Sequence, residues 1–205
     1  METYHRETFR YIFSLFENQK LKAAVENVFE KHKLFFFREQ AAKMYHQNYP
    51  GGLADHTALT TLISYYMAKT QQYMNVPSDD ALISALFHDW EKIGMFIRDN
   101  PRLFKDDQLV INYLEQQKII TETTRHIANG IVFAHGGWSR VQGQHFPIAI
   151  IIHYADMASS QNIKTQEKTR TCIEAVKKQI DEFHENSIES NKETDKHVKS
   201  NGTTI

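Results

Sequence analysis

Apolar side chains recur along this chain at intervals of three, four and seven, the spacing of one face of an α-helix, from near residue 6 to about residue 184. Over residues 6–30, Phe9, Ile12, Phe13, Phe16, Leu21, Ala24, Val25, Val28 and Phe29 keep that spacing, with a break expected near Asn18. NYPGG at 48–52 is the strongest turn signal, and a helix is expected after it from about Leu53 to Met74, with Leu59, Leu62, Ile63, Tyr66 and Met67 on its apolar side. VPSDD at 76–80 starts another helix, with Pro77, Ser78 as N-cap and two acids in the first turn. Further helices are expected at 108–117, at 121–137 with Gly136-Gly137 closing it and Asn129-Gly130 as a weak point, at 147–160 and at 165–184. Segments 98–107 and 141–147 read as loops. Clear β alternation is absent, so the expected fold class is all-α, a helical bundle.

Two positions break the apolar pattern. In ALISALFHDWEKIG, residues 81–94, the positions Leu82, Ala85, Leu86, Asp89 and Ile93 share one helix face, which aims the Asp89 carboxylate at the core. Asp156 repeats the anomaly one turn after Ile152. A lone buried carboxylate is costly, so each needs a partner, a proton or a cation. His56 lies in the first turns of a helix whose apolar face includes Leu59 and Ile63. Three helices that send His56, His88, Asp89 and Asp156 inward can surround a divalent transition metal, and this mixed imidazole and carboxylate set suits Mn, Fe, Co, Ni or Zn.

Composition narrows the setting. The chain has 205 residues, 41% hydrophobic, enough for one well-packed domain. Residues 1–47 read as an N-terminal helical extension packed on the core, 48–184 as the main domain, and 185–205 as a flexible tail with too few apolar residues to order itself. A formal net charge of -1 carries no global signal for nucleic acid or membrane. The single cysteine, Cys172, excludes an intramolecular disulfide framework and a cysteine-rich zinc site. No signal peptide is read at the start, and the longest aliphatic run, IAIII at 148–152, is too short for a bilayer, so a cytoplasmic protein without a membrane partner is expected. Eleven histidines are the unusual count, and they sharpen interest in a metal.

His56, then His88-Asp89, then Asp156 form the ordered histidine, His-Asp and aspartate signature of the HD-domain metal-dependent phosphohydrolases, which this chain resembles. YPGGLADHT at 49–57 and FPIAIIIHYADMASS at 146–160 are similar to the corresponding words of one branch, the HD domain of bacterial 3′-to-5′ exoribonucleases of the YhaM type. The resemblance covers roughly residues 48–160. It implies a helical HD fold, a divalent metal at these four residues, and a nucleotide or oligonucleotide phosphoester as substrate. Where the family often has HDIGK this chain has HDWEK, so Lys92 keeps its place while Trp90 and Glu91 alter the expected active-site wall. Where the branch shows two histidines before a glycine, this chain has Ala134-His135-Gly136, which removes one imidazole from a region that can bind a second metal. On a straight helix His126 would lie about 180° from His135, so both ligate only if Gly130 breaks it.

Roles follow from charge. Asp89 is the candidate to orient the attacking water or take its proton, and Lys92 the candidate to hold a phosphate oxygen from the same side of the helix. Arg140 is a candidate second phosphate clamp, and His135 a contact for substrate or a second metal. His153, one turn before Asp156, reads either as a hydrogen-bond donor behind the ligands or as a core histidine. His5, His32, His46, His145, His184 and His197 have no motif around them and are expected at the surface. The lead-in helices are a candidate homo-oligomer interface or lid. Two alternatives to hydrolysis stay open: a di-iron oxygenase on the same ligand set, and a non-catalytic module that senses a nucleotide.

Overall fold

The computed structural model describes residues 3–71, 74–96, 98–99, 101–139, 142–161 and 163–200, and for Trp138 and 190–200 it describes the backbone path alone. Helices α1 (Thr3–Ser14) and α2 (Gln19–Phe36) meet at the expected break, where the Asn18 side chain accepts from the amides of Lys20 and Leu21. α3 (Gly52–Thr70) follows the NYPGG turn and ends one turn before the expected Met74. α4 (Ser78–Phe87), α5 (Asp107–Gln116), α6 (His126–Val132), α7 (Pro147–Ser160) and α8 (Gln166–Ser200) complete the chain, with short 3-10 turns at Trp90–Lys92, Glu122–Thr124 and Gly136–Trp138. Among the described residues there is no strand, so the fold is all-α.

α3 is the central element, packed by α4, α7, α8 and α1. It is therefore buried on nearly every side over Gly52–Leu62, where the sequence pattern predicts one apolar face. Its polar side chains are answered locally: Thr60 and Thr61 hydroxyls donate to the carbonyls of His56 and Thr57 at 3.0 and 2.7 Å. α1 and α2 share one apolar core with α3 and α4 through Phe9, Ile12, Phe29, Phe36, Leu59 and Leu86. Asp79 ties α4 to the α1–α2 turn by accepting from the amides of Glu17 and Asn18 at 2.9 and 2.8 Å. Ser78 does not cap as expected; Pro77 holds the N-cap position without a side-chain bond. α6 crosses α4 at Gly130, where an added Cβ would sit 2.6 Å from the Ser84 hydroxyl, so only glycine allows the approach.

Three expectations need correction. The 81–94 segment is not one helix: α4 ends at Phe87, and Asp89 sits beyond its end with φ -117° and ψ 14°. The 121–137 segment breaks at Phe133 rather than at Gly130, because the backbone leaves helical hydrogen bonding after Val132. The last helix, α8, does not end at His184 but runs to Ser200; residues 185–189 are all exposed, so the tail packs no apolar face there, as its polar composition predicts. No described helix is long and apolar enough to cross a membrane.

Candidate metal centre

Three helices deliver the cluster. His56 stands in the second turn of α3, His88 and Asp89 just past the end of α4, and Asp156 near the end of α7. His56, His88 and Asp89 are fully buried and Asp156 nearly so. Nε2 of His56 lies 3.3 Å from Nε2 of His88, 3.4 Å from Asp89 Oδ2 and 3.1 Å from Asp156 Oδ1. Nε2 of His88 lies 3.5 Å from Asp89 Oδ2 and 3.7 Å from Asp156 Oδ1. Ligand atoms each about 2.1 Å from a common centre stand about 3.0 Å apart in octahedral and about 3.4 Å apart in tetrahedral geometry. His56, His88 and Asp156 thus have the spacing to hold one divalent cation, with Asp89 Oδ2 beside both imidazoles, and the mixed nitrogen and oxygen donors suit a transition metal.

Tautomers agree with that fit. His88 Nδ1 donates to the Ala85 carbonyl at 2.7 Å, which leaves Nε2 to the cluster. His56 Nδ1 faces the Ser159 hydroxyl at 3.2 Å; that hydroxyl directs its proton to the Asp156 carbonyl at 2.8 Å, so its oxygen receives the imidazole N–H. Both imidazoles present a lone pair inward in their neutral forms.

Asp89 owes its position to the break after α4. In the 3-10 turn that follows, residues three apart eclipse, and Lys92 Nζ meets Asp89 Oδ2 at 2.6 Å. The expected proximity of Lys92 is present, although a tighter turn rather than a continuous α-helix produces it. Burial opposes charge on Asp89, but His88, Lys92 and His56 outweigh it and hold its pKa well below the usual carboxylate range. The same contest holds Asp156 well below that range through His135, His56 and His88. Burial also opposes charge on His56 and Lys92, and carboxylate neighbours raise both.

His135 joins the cluster on its open side. Its Nε2 lies 3.4 Å from Asp89 Oδ1 and its Nδ1 3.4 Å from Asp156 Oδ2. Gly136, with φ +55°, turns the chain here, and a Cβ on it would strike the His153 ring at 2.5 Å. His153 donates from Nδ1 to the Ala134 carbonyl at 2.9 Å, so it supports the turn that carries His135. Side-chain exposures of 28% for His135, 17% for Lys92 and 12% for Asp156, against 0% for His56 and Asp89, mark where solvent reaches the cluster.

A second group adjoins the first: Asp89, Glu91 and His135 have donor atoms close enough to hold an ion together. Oδ1 of Asp89 and Oε2 of Glu91 are buried and have no hydrogen-bond donor. Burial first, then Asp89 and Asp107, push the Glu91 carboxyl up to about 8, with Asp107 at the start of α5. These buried His/Asp groups can hold a metal ion, with room for two sites.

Other candidates fall elsewhere. His126 binds Asp80 on α4 and takes no part in the cluster. Arg140 lies outside the described residues, and so does the side chain of His197. Of the HDWEK pair only Glu91 borders the site; Trp90 turns into the core against Phe87, with ring centroids 4.5 Å apart. His5 is not at the surface: it is buried and bonded to Asp55 at 2.7 Å. His32 and His184 are half-buried on Tyr113 and Tyr65.

His46, also assigned to the surface from sequence, is half-buried with its ring 4.9 Å from that of His56. Burial first, then His56, lower its pKa to about 4. The clue to it was its place in YHQNYPGG, ten residues before His56. Glu91 was legible as an acid two residues after Asp89, whereas nothing in the sequence tied Asp107 to the site. Comparison with family models, curated proteins and solved structures finds no match for this chain.

Proposed function

We propose that this chain is a metal-dependent phosphohydrolase of the HD type, acting on a nucleotide or nucleic-acid phosphoester. The observation that carries the reading is the meeting of His56, His88, Asp89 and Asp156 within 3.1–3.7 Å of one another at the five measured separations, in an order along the chain that resembles the HD signature. A divalent cation bound there supplies charge to offset a phosphoester's and makes a coordinated water acidic enough to attack near neutral pH. Asp89 orients that water through Oδ1, the oxygen left without a donor. Lys92, held on Oδ2 of the same carboxylate, is placed to reach a phosphate oxygen at the solvent side. His135 spans Asp89 and Asp156 and guards the entrance.

The test is a screen of nucleoside mono-, di- and triphosphates, cyclic nucleotides and short oligonucleotides with Mn, Fe, Co, Ni or Zn supplied. Asp89→Ala is expected to lose both metal and hydrolysis while its circular dichroism stays helical, since it deletes a ligand and little packing. Full metal content in that variant places the site elsewhere. The Asp89, Glu91 and His135 group favours a second reading, a dinuclear centre of the kind a di-iron oxygenase uses. Two irons per chain with oxygen consumption select it; nucleotide binding without turnover under every metal selects a sensing module.

A further inference from the structure

His46 is held with unusual care for a loop residue. Its neighbour Gln47 is fully buried in a left-handed conformation, φ +40°, which a non-glycine residue keeps only when its surroundings impose it. They do: the Gln47 amide donates to the Ile163 carbonyl at 3.3 Å and its carbonyl accepts from Ala41 at 3.3 Å. Its side-chain NH2 donates to the Ser159 carbonyl at 2.9 Å.

That last bond orients everything beyond it. A carbonyl accepts only, so the Gln47 side chain must turn its nitrogen to Ser159 and its Oε1 to His46. Oε1 accepts only, so His46 Nδ1, 2.7 Å away, carries the imidazole proton. In the neutral imidazole Nε2 of His46 is then a lone-pair acceptor, and among the described residues no donor meets it. The His46 ring itself lies beside that of His56, with centroids 4.9 Å apart.

We propose that His46 is a specificity-determining residue that accepts a hydrogen bond from a sugar hydroxyl of the substrate. The inference rests on the nucleotide phosphohydrolase reading and narrows its substrate class to nucleotides with a free sugar hydroxyl beside the phosphate. Phosphate oxygens of a bound nucleotide are acceptors and repel a second acceptor, whereas sugar hydroxyls are the donors nearest the phosphate. The same loop presents Met44 and Tyr45 to solvent, 74% and 77% exposed, an apolar pair suited to a nucleobase.

The experiment uses the full chain loaded with Mn, and compares ribonucleotides with their 2′-deoxy and 3′-deoxy counterparts for wild type, His46→Phe and His46→Ala. Wild type is expected to prefer the ribonucleotide over one deoxy form, and both variants to reduce that ratio of kcat/KM by about tenfold, the worth of one hydrogen bond in a desolvated site. Bound Mn and circular dichroism should match wild type. Equal losses on ribo and deoxy substrates assign Nε2 to a coordinated water and overturn the proposal. Loss of Mn in His46→Phe makes His46 a ligand and overturns it too. If wild type prefers the ribonucleotide and the variants keep that preference, the hydroxyl is recognised elsewhere. Absence of metal-dependent hydrolysis in wild type removes the phosphohydrolase reading itself, a result distinct from each of these.

Discussion

Asp89 and Trp90 are neighbours in the chain, both fully buried, yet they belong to regions held together by opposite physics. Trp90 closes an aromatic cluster with Phe29, Phe36, Phe87 and Phe104, where removal from water is itself the driving force. Asp89 closes a cluster of carboxylates and imidazoles, where removal from water is a cost that neighbouring charges only partly offset. Burial therefore says nothing alone about what a residue contributes. The aromatic region is built for stability, and the polar region is tolerable because a cation can complete it.

The largest effect that separates the two regions is expected at Phe29, whose ring stacks on Phe9 with centroids 4.6 Å apart. Phe29→Ala should cost about 3–5 kcal/mol in chemical denaturation, the usual cost of deleting a buried phenyl group. The folded fraction should keep its metal. A variant that lost metal in proportion would show that the aromatic core positions the ligands as well as stabilising them.

Metal affinity comes next, through pH. The pKa of His56 is raised above 6.5, against the pull of burial, by Asp156 and Asp89, and His135 is raised by Asp156 and Asp89. A raised histidine pKa contributes stability that is present below 6.5 and lost as pH rises through the folded value. Asp89 and Asp156 behave oppositely: their contribution is present above 3.8 and lost as pH falls through the folded values. Metal needs His56 unprotonated, so above pH 6.5 the metal-free protein should lose stability with rising pH while metal binding tightens, by up to about tenfold per pH unit as His56 releases its proton. Melting temperatures with and without Zn across pH 6–9 measure both slopes. Parallel slopes break the comparison.

Smaller effects sharpen it. Lys92→Ala removes the partner of Asp89 Oδ2 but no ligand, and is expected to raise KM about tenfold with metal retained, roughly the worth of one charged hydrogen bond. Unchanged kinetics would confine Lys92 to neutralising Asp89. The smallest change is expected at His126→Gln, which keeps a donor for the buried Asp80 and should cost about 1 kcal/mol with no effect on turnover. An effect on activity there would link the α4–α6 contact to the centre.

Asp89 illustrates how far sequence reasoning reaches. The pattern marked it as an acid aimed inward, and so it is, but the helix assumed to aim it ends two residues earlier. Periodicity located the residue because a 3-10 turn and an α-helix differ little over three positions. The same arithmetic separated His126 from His135, and they are separate, although the chain breaks at Phe133 and not at the glycine. His5 and Asp107 were illegible because only the fold brings them to Asp55 and Glu91, and the orientation of His46 was illegible because Ser159, far along the chain, sets it through Gln47.

What the sequence by itself determined is local. Helical spacing, the Asn18 cap, the NYPGG turn and the proline at the start of α7 act within a few residues, and they set the all-α class and most helix limits. The sequence also determined that Asp89 and Asp156 need partners, since the cost of a buried charge holds in any fold. Tertiary structure alone decided which partners. His56, His88, Asp89 and Asp156 lie 32, 1 and 67 residues apart along the chain, and no local rule relates one helix's rotation to another's. Packing of α3 against α4 and α7 fixes those rotations, and with them the separations of 3.1–3.7 Å at which these side chains meet.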